Sequence, residues 1–291
     1  MRKFKVSKSG VGQRTDIFVA SKFPEFTRAA LTRLFDEKLV VIGGKPAKAS
    51  YKLRAGDEVR VDDTLLKTEP EAVELLVLYE DNDVIVMNKP AGVLTHSKGA
   101  LNDEATVASF LKTKITDENL TGNRAGIVHR LDRPTSGVII GAKTGQSLKH
   151  LQKQFSDRKT KKTYLAVVEG WPEPAEAIID APIQRNPRKP QTFRVNAAGK
   201  AAQTHYQTLK RFNKGGKKYA LLGLRPVTGR THQIRVHLNY INHPIVGDHV
   251  YGQDGDRLML HALSLELTLP NKERKVFKSE PPADFKEFVE L

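Results

Sequence analysis

The sequence predicts an α+β protein: a large domain on a mainly antiparallel mixed sheet with flanking helices, preceded by a small α/β module. Three observations predict it. Apolar runs of strand character are spread over residues 75–270, and the helical faces among them are scattered rather than strictly alternating with strands. A polar segment at 65–74 contains Pro70 and lacks an apolar period, so it reads as a linker. Finally, 291 residues exceed one average domain but suit one large domain with a small companion. The predicted boundaries are 1–70 and 71–291.

Within the module, "RTDIFVASKF" and "TRAALTRLFDEKLV" carry helical apolar spacing through Ile17, Phe18 and Phe23, then Ala30, Leu31, Leu34 and Phe35. Thr27 is the expected N-cap of the second helix. "VVIGGKP" reads as a strand, a Gly-Gly turn and a second extended piece, and "RAGDEVRV" as a turn and a final strand. The opening "MRKFKVSKSG" is basic without an apolar core, which predicts a short flexible arm and not a secretory signal. In the large domain, Leu75–Tyr79 and Val84–Met87 form a hairpin around "EDND". Helices are expected at 104–113 and 145–157, the latter with Leu148, Leu151 and Phe155 on one face. Strands are expected at 163–168, 178–183, 192–195, 202–210, 219–225 and 258–269. A helix at 230–241 would turn Ile234, Leu238 and Ile241 inward, and "DFKEFVEL" closes the chain as a short helix.

Composition narrows the chemistry. Apolar residues make up 39% and charged residues 28%, enough for a core and against wholesale disorder. The absence of cysteine removes disulfides and thiolate metal sites and fits a reducing, cytoplasmic setting. No apolar run approaches the roughly 18 residues of a membrane span. The net charge of +15 is unevenly placed: from Ala181 to Gly247 there is no Asp or Glu but thirteen Lys or Arg. Ordinary surfaces mix the two signs, so this stretch points to a polyanionic partner, RNA or DNA.

Four constellations carry chemistry. In "HRLDRPTSG", Asp132 follows an apolar segment and is flanked by Arg130 and Arg133; a carboxylate among cations can act as nucleophile, general base or partner to a developing positive charge. By itself an Asp in a turn is an ordinary surface ion pair. In "RPVTGRTHQIRVHL", Arg230 is expected to open a helix, where a cation opposes the helix dipole, so a mate is required: a carboxylate, or a phosphate. His232 and His237 lie five apart, off the spacing of a helical metal pair, and no metal site is expected. In "KKTYLAVVEGW", alternation puts Tyr164 on the face opposite Leu165 and Val167, either as a stacking platform for a base or as a half-buried strand residue. "NKPAGVLTHS" is weaker: Lys89-Pro90 fixes an extended turn and Gly92 permits close backbone approach. Neither a P-loop nor a dinucleotide fingerprint is present, so no nucleotide cofactor is expected.

In this order the four pieces resemble the motifs of the RluA-type pseudouridine synthases: "YEDNDVIVMNKPAGVLTH", "GIVHRLDRPTSGVIIGAKT", "KKTYLAVVEG" and "LRPVTGRTHQIRVHL", followed by "HPIVGDHVYG" and "LHALSLEL". Residues 14–62 resemble the alpha-L RNA-binding module that precedes the catalytic domain in family members acting on large-subunit ribosomal RNA. The resemblance implies isomerisation of uridine to pseudouridine in RNA, without metal or cofactor. It implies that Asp132 is the catalytic aspartate, that Arg230 is paired with it, and that Tyr164 stacks on the uracil and assists at the C5 proton. Arg130 corresponds to the residue that fills the gap left by the flipped base and Ile234 to an apolar wall of the pocket; His129, Leu131 and Thr135 complete the substrate-binding set. The implied partner is RNA, ribosomal in preference to transfer RNA, bound by a monomer with no membrane contact. Two rivals stand beside this reading. One is a non-catalytic RNA chaperone or ribosome-assembly factor on the same fold. The other is a glycosidic hydrolase, which wants a second carboxylate in its site.

Overall fold

The computed structural model describes residues 1–67, 73–97, 104–122 and 124–290. Contacts divide the chain into two compact units, one formed by Met1–Val73 with His96–Ser109 and Gly122–Arg124, the other by Glu74–Thr95, Phe110–Thr121 and Ala125–Leu291. The boundary expected after residue 70 lies outside the described residues.

The first unit contains β1 (Arg2–Lys5), α1 (Thr15–Lys22), α2 (Arg28–Asp36), β2 (Val40–Ile42), β3 (Lys45–Pro46), β4 (Glu58–Val61) and α3 (Thr64–Lys67). Its antiparallel sheet has the order β1-β4-β2-β3. Val59 and Val61 alternate with exposed Arg60, so one face meets the helices, which contribute Phe18, Val19, Phe23, Leu31 and Leu34 to the core. Thr27 caps α2 by accepting from the Ala30 amide at 3.2 Å. Gly43 and Gly44 both have positive φ, the conformation that a two-residue hairpin loop demands. The expected N-terminal arm is instead a strand: β1 pairs with β4 from Arg2↔Val61 to Lys5↔Glu58. Its burial is one-sided, too faint a period to separate from an arm, and the free edge of β4 supplied the pairing.

The second unit contains β5 (Leu76–Glu80), β6 (Val84–Lys89), α4 (Val107–Lys112), β7 (Ser136–Ala142), α5 (Gly145–Ser156), β8 (Lys161–Glu169), β9 (Glu176–Asp180), β10 (Ile183–Arg185), β11 (Phe193–Val195), β12 (Gln203–Lys214), β13 (Lys217–Pro226), α6 (Gln233–Tyr240), β14 (Leu260–Thr268), β15 (Arg274–Lys278) and α7 (Ala283–Val289). The chain is α+β, as the sequence predicts. One nine-stranded sheet runs β5-β6-β7-β14-β8-β13-β12-β9, with β15 added on β14, while β10 and β11 form a separate hairpin. Every pairing is antiparallel except that of β7 with β14. That seam makes the sheet mixed and places the start of β7 beside His261 and Ala262 of β14, which in turn pair with Leu165 and Tyr164 of β8. The stretch expected as one strand, 178–183, breaks into β9 and β10. The helix expected over 230–241 starts only at Gln233, so Arg230, Thr231 and His232 form a turn ahead of it.

The seam depends on Gly137. Its φ is +117°, and a Cβ there would collide with the Ala262 carbonyl of β14. Gly137→Ala is expected to lower stability by more than about 2 kcal/mol, read from urea unfolding, because a strained conformation and a backbone clash act together. Wild-type stability in this variant would contradict the tight β7–β14 approach.

Candidate active site

The site begins with the loop that enters β7. Two earlier segments hold it. The buried Thr95 hydroxyl donates to the Leu131 carbonyl at 2.8 Å and accepts from the Leu131 amide at 3.1 Å. The Gly92 amide donates to the Arg133 carbonyl at 2.9 Å, and the Thr135 amide closes back on the Asp132 carbonyl at 3.1 Å. Lys89, wholly buried, donates through Nζ to the carbonyls of Pro90 (2.9 Å), Val93 (2.8 Å) and Arg133 (3.0 Å). Burial draws its pKa down to about 7, against the opposing pull of Asp132. The "NKPAG" stretch, weak on sequence alone, is thus the clamp on the loop that presents Asp132.

The second wall is the turn ahead of α6. Gln233 Oε1 accepts from the Thr228 hydroxyl at 2.6 Å and the Arg230 amide at 3.0 Å, while Gln233 Nε2 donates to the Gln203 carbonyl and the Thr204 hydroxyl of β12. His232 has φ +55°, left-handed for a residue with a Cβ, a strain typical of functional turns. Its Nδ1 meets the Tyr251 hydroxyl at 2.9 Å, and the same hydroxyl accepts from the Phe193 amide at 2.8 Å. In the first turn of α6, Arg235 is buried. Its Nε and Nη2 grip Asp248 at 2.8 and 2.6 Å, and its Nη1 lies 3.8 Å from Asp132 Oδ2. The side chains are 3% exposed for Arg235, 0% for Asp248 and 16% for Asp132. Asp248 also accepts from the amides of Val250 and Tyr251, which seats the Tyr251 ring under the guanidinium, 5.2 Å from its centroid.

The third wall is β8, from which Lys162 and Tyr164 project on one face. Burial first, and then the charge of Asp132, push the Tyr164 phenol well above its ordinary range, so it keeps its proton. His129 stacks on Phe155 at 4.6 Å, and its Nε2 accepts from the Ile140 amide at 3.2 Å. Burial, with Lys162 adding to it, pushes this imidazole down to about 3 and keeps it neutral. The three walls enclose an open cavity of about 480 Å³, within the range of small-ligand sites, roughly 300–1,000 Å³.

All eight residues singled out from the sequence line this cavity: Asp132, Tyr164, Arg230, Arg130, His129, Ile234, Leu131 and Thr135. The expected pairing of Arg230 with Asp132 is corrected. Arg230 Nε donates to the Ala201 carbonyl at 3.0 Å, and the guanidinium facing Asp132 is that of Arg235. The physical reason is the late start of α6, which leaves Arg230 in the turn and carries Arg235 inward. Arg235, Asp248, Lys89 and Lys162 were not found as site residues. The signal for Asp248 was available: it is the first acid after the acid-free stretch 181–247 and directly follows the apolar "PIVG".

Chemically, the cavity offers an anionic oxygen with free lone pairs, a neutral phenol, and apolar contacts from Leu131, Ile234 and Leu260. The family model described as RNA pseudouridylate synthase matches residues 83–240. The chain is 37% identical to "Ribosomal large subunit pseudouridine synthase D" of Borreliella burgdorferi, over 99% of its own length and 91% of that protein. The chain belongs to the RNA pseudouridylate synthase family. It is also similar to the synthase D of Xanthomonas campestris (40% identity, 87% of this chain, 75% of that protein). Among solved structures, "Human RNA Pseudouridylate Synthase Domain Containing 1" matches with a TM-score of 0.60 and 26% identity, covering 72% of this chain and 84% of that one.

The neutral state of His129 has a consequence for stability. In the unfolded chain the imidazole takes up a proton near its ordinary 6.5, but in the fold only near 3. Unfolding therefore binds a proton between these values, and stability falls as pH drops below about 6.5. Urea unfolding between pH 7 and 4 is expected to show this loss, with a shallower slope in His129→Gln. An equal slope in both proteins would mean that His129 is not held neutral.

Proposed function

We propose that this enzyme converts uridine to pseudouridine in large-subunit ribosomal RNA, acting on a base turned out of its stack and into the cavity of Asp132, Tyr164 and Arg235. The observation that carries the reading is the convergence of these three side chains on one open cavity in a chain of this family. The reaction breaks the N1–C1′ bond and joins C5 to C1′; the proton leaves C5 and N1 gains one. Asp132 serves as nucleophile on the nucleotide or as the anion that promotes departure of the uracil, and both roles need the same placed charge. Arg235 faces Asp132 at 3.8 Å, beyond hydrogen-bond distance, so it orients the carboxylate without occupying its lone pairs. Tyr164 offers its ring as a stacking surface and its hydroxyl oxygen as an acceptor near C5, taking the C5 proton as it passes its own on towards N1. Exposed Arg130, on the same loop, is placed to enter the gap in the stack.

Everting a base costs a few kcal/mol, which phosphate contacts can offset. The thirteen cations of 181–247 divide by role. Arg235 is buried, Lys210 and Lys214 donate to carbonyls at the end of α7, and Arg211 pairs with Glu173. Arg185, Arg188, Lys189 and Arg194 stand exposed on the β10–β11 hairpin, which the Phe193–Tyr251–His232 contacts tie to the cavity wall. This hairpin is the proposed RNA grip, with the first unit as a second RNA-binding element. Relatives named as ribosomal large-subunit synthases favour ribosomal over transfer RNA. Among the described residues no helix is long and apolar enough to cross a membrane; a monomer acting in the cytoplasm goes with the reading.

Tritium release from ribosomal RNA carrying 5-tritiated uridine tests the assignment. Wild type is expected to release tritium, Asp132→Asn not to, and Arg235→Lys to lose on the order of a hundredfold in rate. Arg230→Gln is expected to retain more activity than Arg235→Lys. Release by Asp132→Asn at the wild-type rate would remove Asp132 from the chemistry, and tight RNA binding by a wild type that releases nothing would favour a chaperone.

Salt titration of RNA binding tests the grip. The triple variant Arg188→Ala, Lys189→Ala, Arg194→Ala should bind more weakly, and its salt slope should fall by about 0.7–0.9 for each phosphate that the protein no longer neutralises. Lys210→Ala should leave the slope alone. A slope unchanged in the triple variant would place the RNA elsewhere.

A further inference from the structure

Lys162 is a charged group in the cavity that the proposed chemistry does not use. The two neighbouring lysines at the start of β8 differ sharply. Lys161 points outward and pairs with Glu266 at 3.1 Å. Lys162 points into the cavity and, among the described residues, its ammonium has no carboxylate and no hydrogen-bond acceptor, while burial draws its pKa down. Asp132, the carboxylate in the cavity lining, already faces Arg235. An unpaired ammonium withdrawn from water is unfavourable, and a fold keeps one where an anion will arrive. A second cation, Arg158, lines the same cavity just beyond α5 and has no carboxylate partner among the described residues. The carbonyl end of α5 suffices to account for Arg158. It does not account for Lys162, which projects from a strand.

We infer that Lys162, with Arg158 beside it, binds a backbone phosphate of the everted nucleotide. The inference rests on the cavity being the uridine site. Its geometry follows from β8. Residues two apart on a strand project from the same face roughly 6.6 Å apart. Tyr164 beneath the base and Lys162 two residues before it are therefore separated by about the length of a sugar, the distance between a nucleotide's base and its phosphate. A phosphate seated there would fix the ribose between Tyr164 and Lys162 and present its anomeric carbon and base towards Asp132. Lys162 would then select a nucleotide within a chain over a free nucleoside.

Inhibition of tritium release from ribosomal RNA by uridine, uridine 5′-monophosphate and uridine 3′-monophosphate tests this. In wild type, one of the two monophosphates should inhibit roughly tenfold or more better than uridine, the margin of a charge-assisted bond to phosphate. Which isomer wins identifies the 5′ or the 3′ phosphate. In Lys162→Met the advantage should disappear while inhibition by uridine stays the same; Lys162→Arg should restore part of it. The melting temperature of Lys162→Met should equal or exceed that of wild type, since the change removes an unpaired, partly buried charge. Equal inhibition by uridine and both monophosphates in wild type would overturn the inference. So would an advantage that survives Lys162→Met, or a Lys162→Met protein that melts well below wild type. A wild type that releases no tritium would instead fail the reading of the cavity itself.

Discussion

The buried guanidinium of Arg235 is the constraint around which the site is arranged. It lies between two carboxylates that differ in burial and in distance. Asp248, fully enclosed, takes two of its nitrogens in a bidentate grip; Asp132, partly open to the cavity, faces the third from 3.8 Å. Two anions around one cation leave one net negative charge, and the geometry assigns it to the member that faces the cavity. Removing one partner of such a buried pair typically costs about 3–5 kcal/mol, because the charge left behind has no water to turn to. The same interaction that holds α6 in place therefore also fixes the field at the carboxylate that faces the cavity.

Asp248 spreads that constraint further. Its remaining acceptor capacity organises the turn that seats Tyr251, and the Tyr251 hydroxyl joins His232 to the amide of Phe193 on β11. A short chain of contacts thus runs from the carboxylate behind Arg235 to the basic β10–β11 hairpin. On the other side, Lys89 and Thr95 fix the Asp132 loop through its backbone, leaving the side chains of Arg130 and Asp132 uncommitted by the clamp. Rigid backbone with free side chains is the arrangement that a preorganised site requires.

The fold was largely legible because its elements carry strong local periods. Thr27 announces its helix by cap chemistry, Gly43-Gly44 its hairpin, and the apolar runs of β6 and β8 read directly as strands. β1 and β15 were not legible, since Arg2–Lys5 and Arg274–Lys278 are mostly charged; the first becomes a strand by pairing with distant β4, the second by folding back on β14 as a hairpin. The cavity-lining set was legible through motif order, but the partner of Asp132 was not. From Gln233 to Leu238 every residue of α6 is buried. A helix enclosed all round has no amphipathic face from which to infer that its arginine points inward, and apolar spacing could not decide between Arg230 and Arg235.

The one-signed stretch 181–247 carries a related lesson. Its charge reads as a single polyanion-binding surface, yet the structure gives its cations several separate uses. Arg235 serves the site from inside, Lys210 and Lys214 hold the end of α7, and the exposed set on β10–β11 faces outward. What unites them is the missing carboxylates. An acid on β12 or β13 could neutralise the strand cations, and an acid near α6 could compete with Asp132 for Arg235. The acid-free sequence thus shields the pairing of Arg235 with Asp132, and it ends at Asp248, where a carboxylate is enclosed with the one cation that needs it.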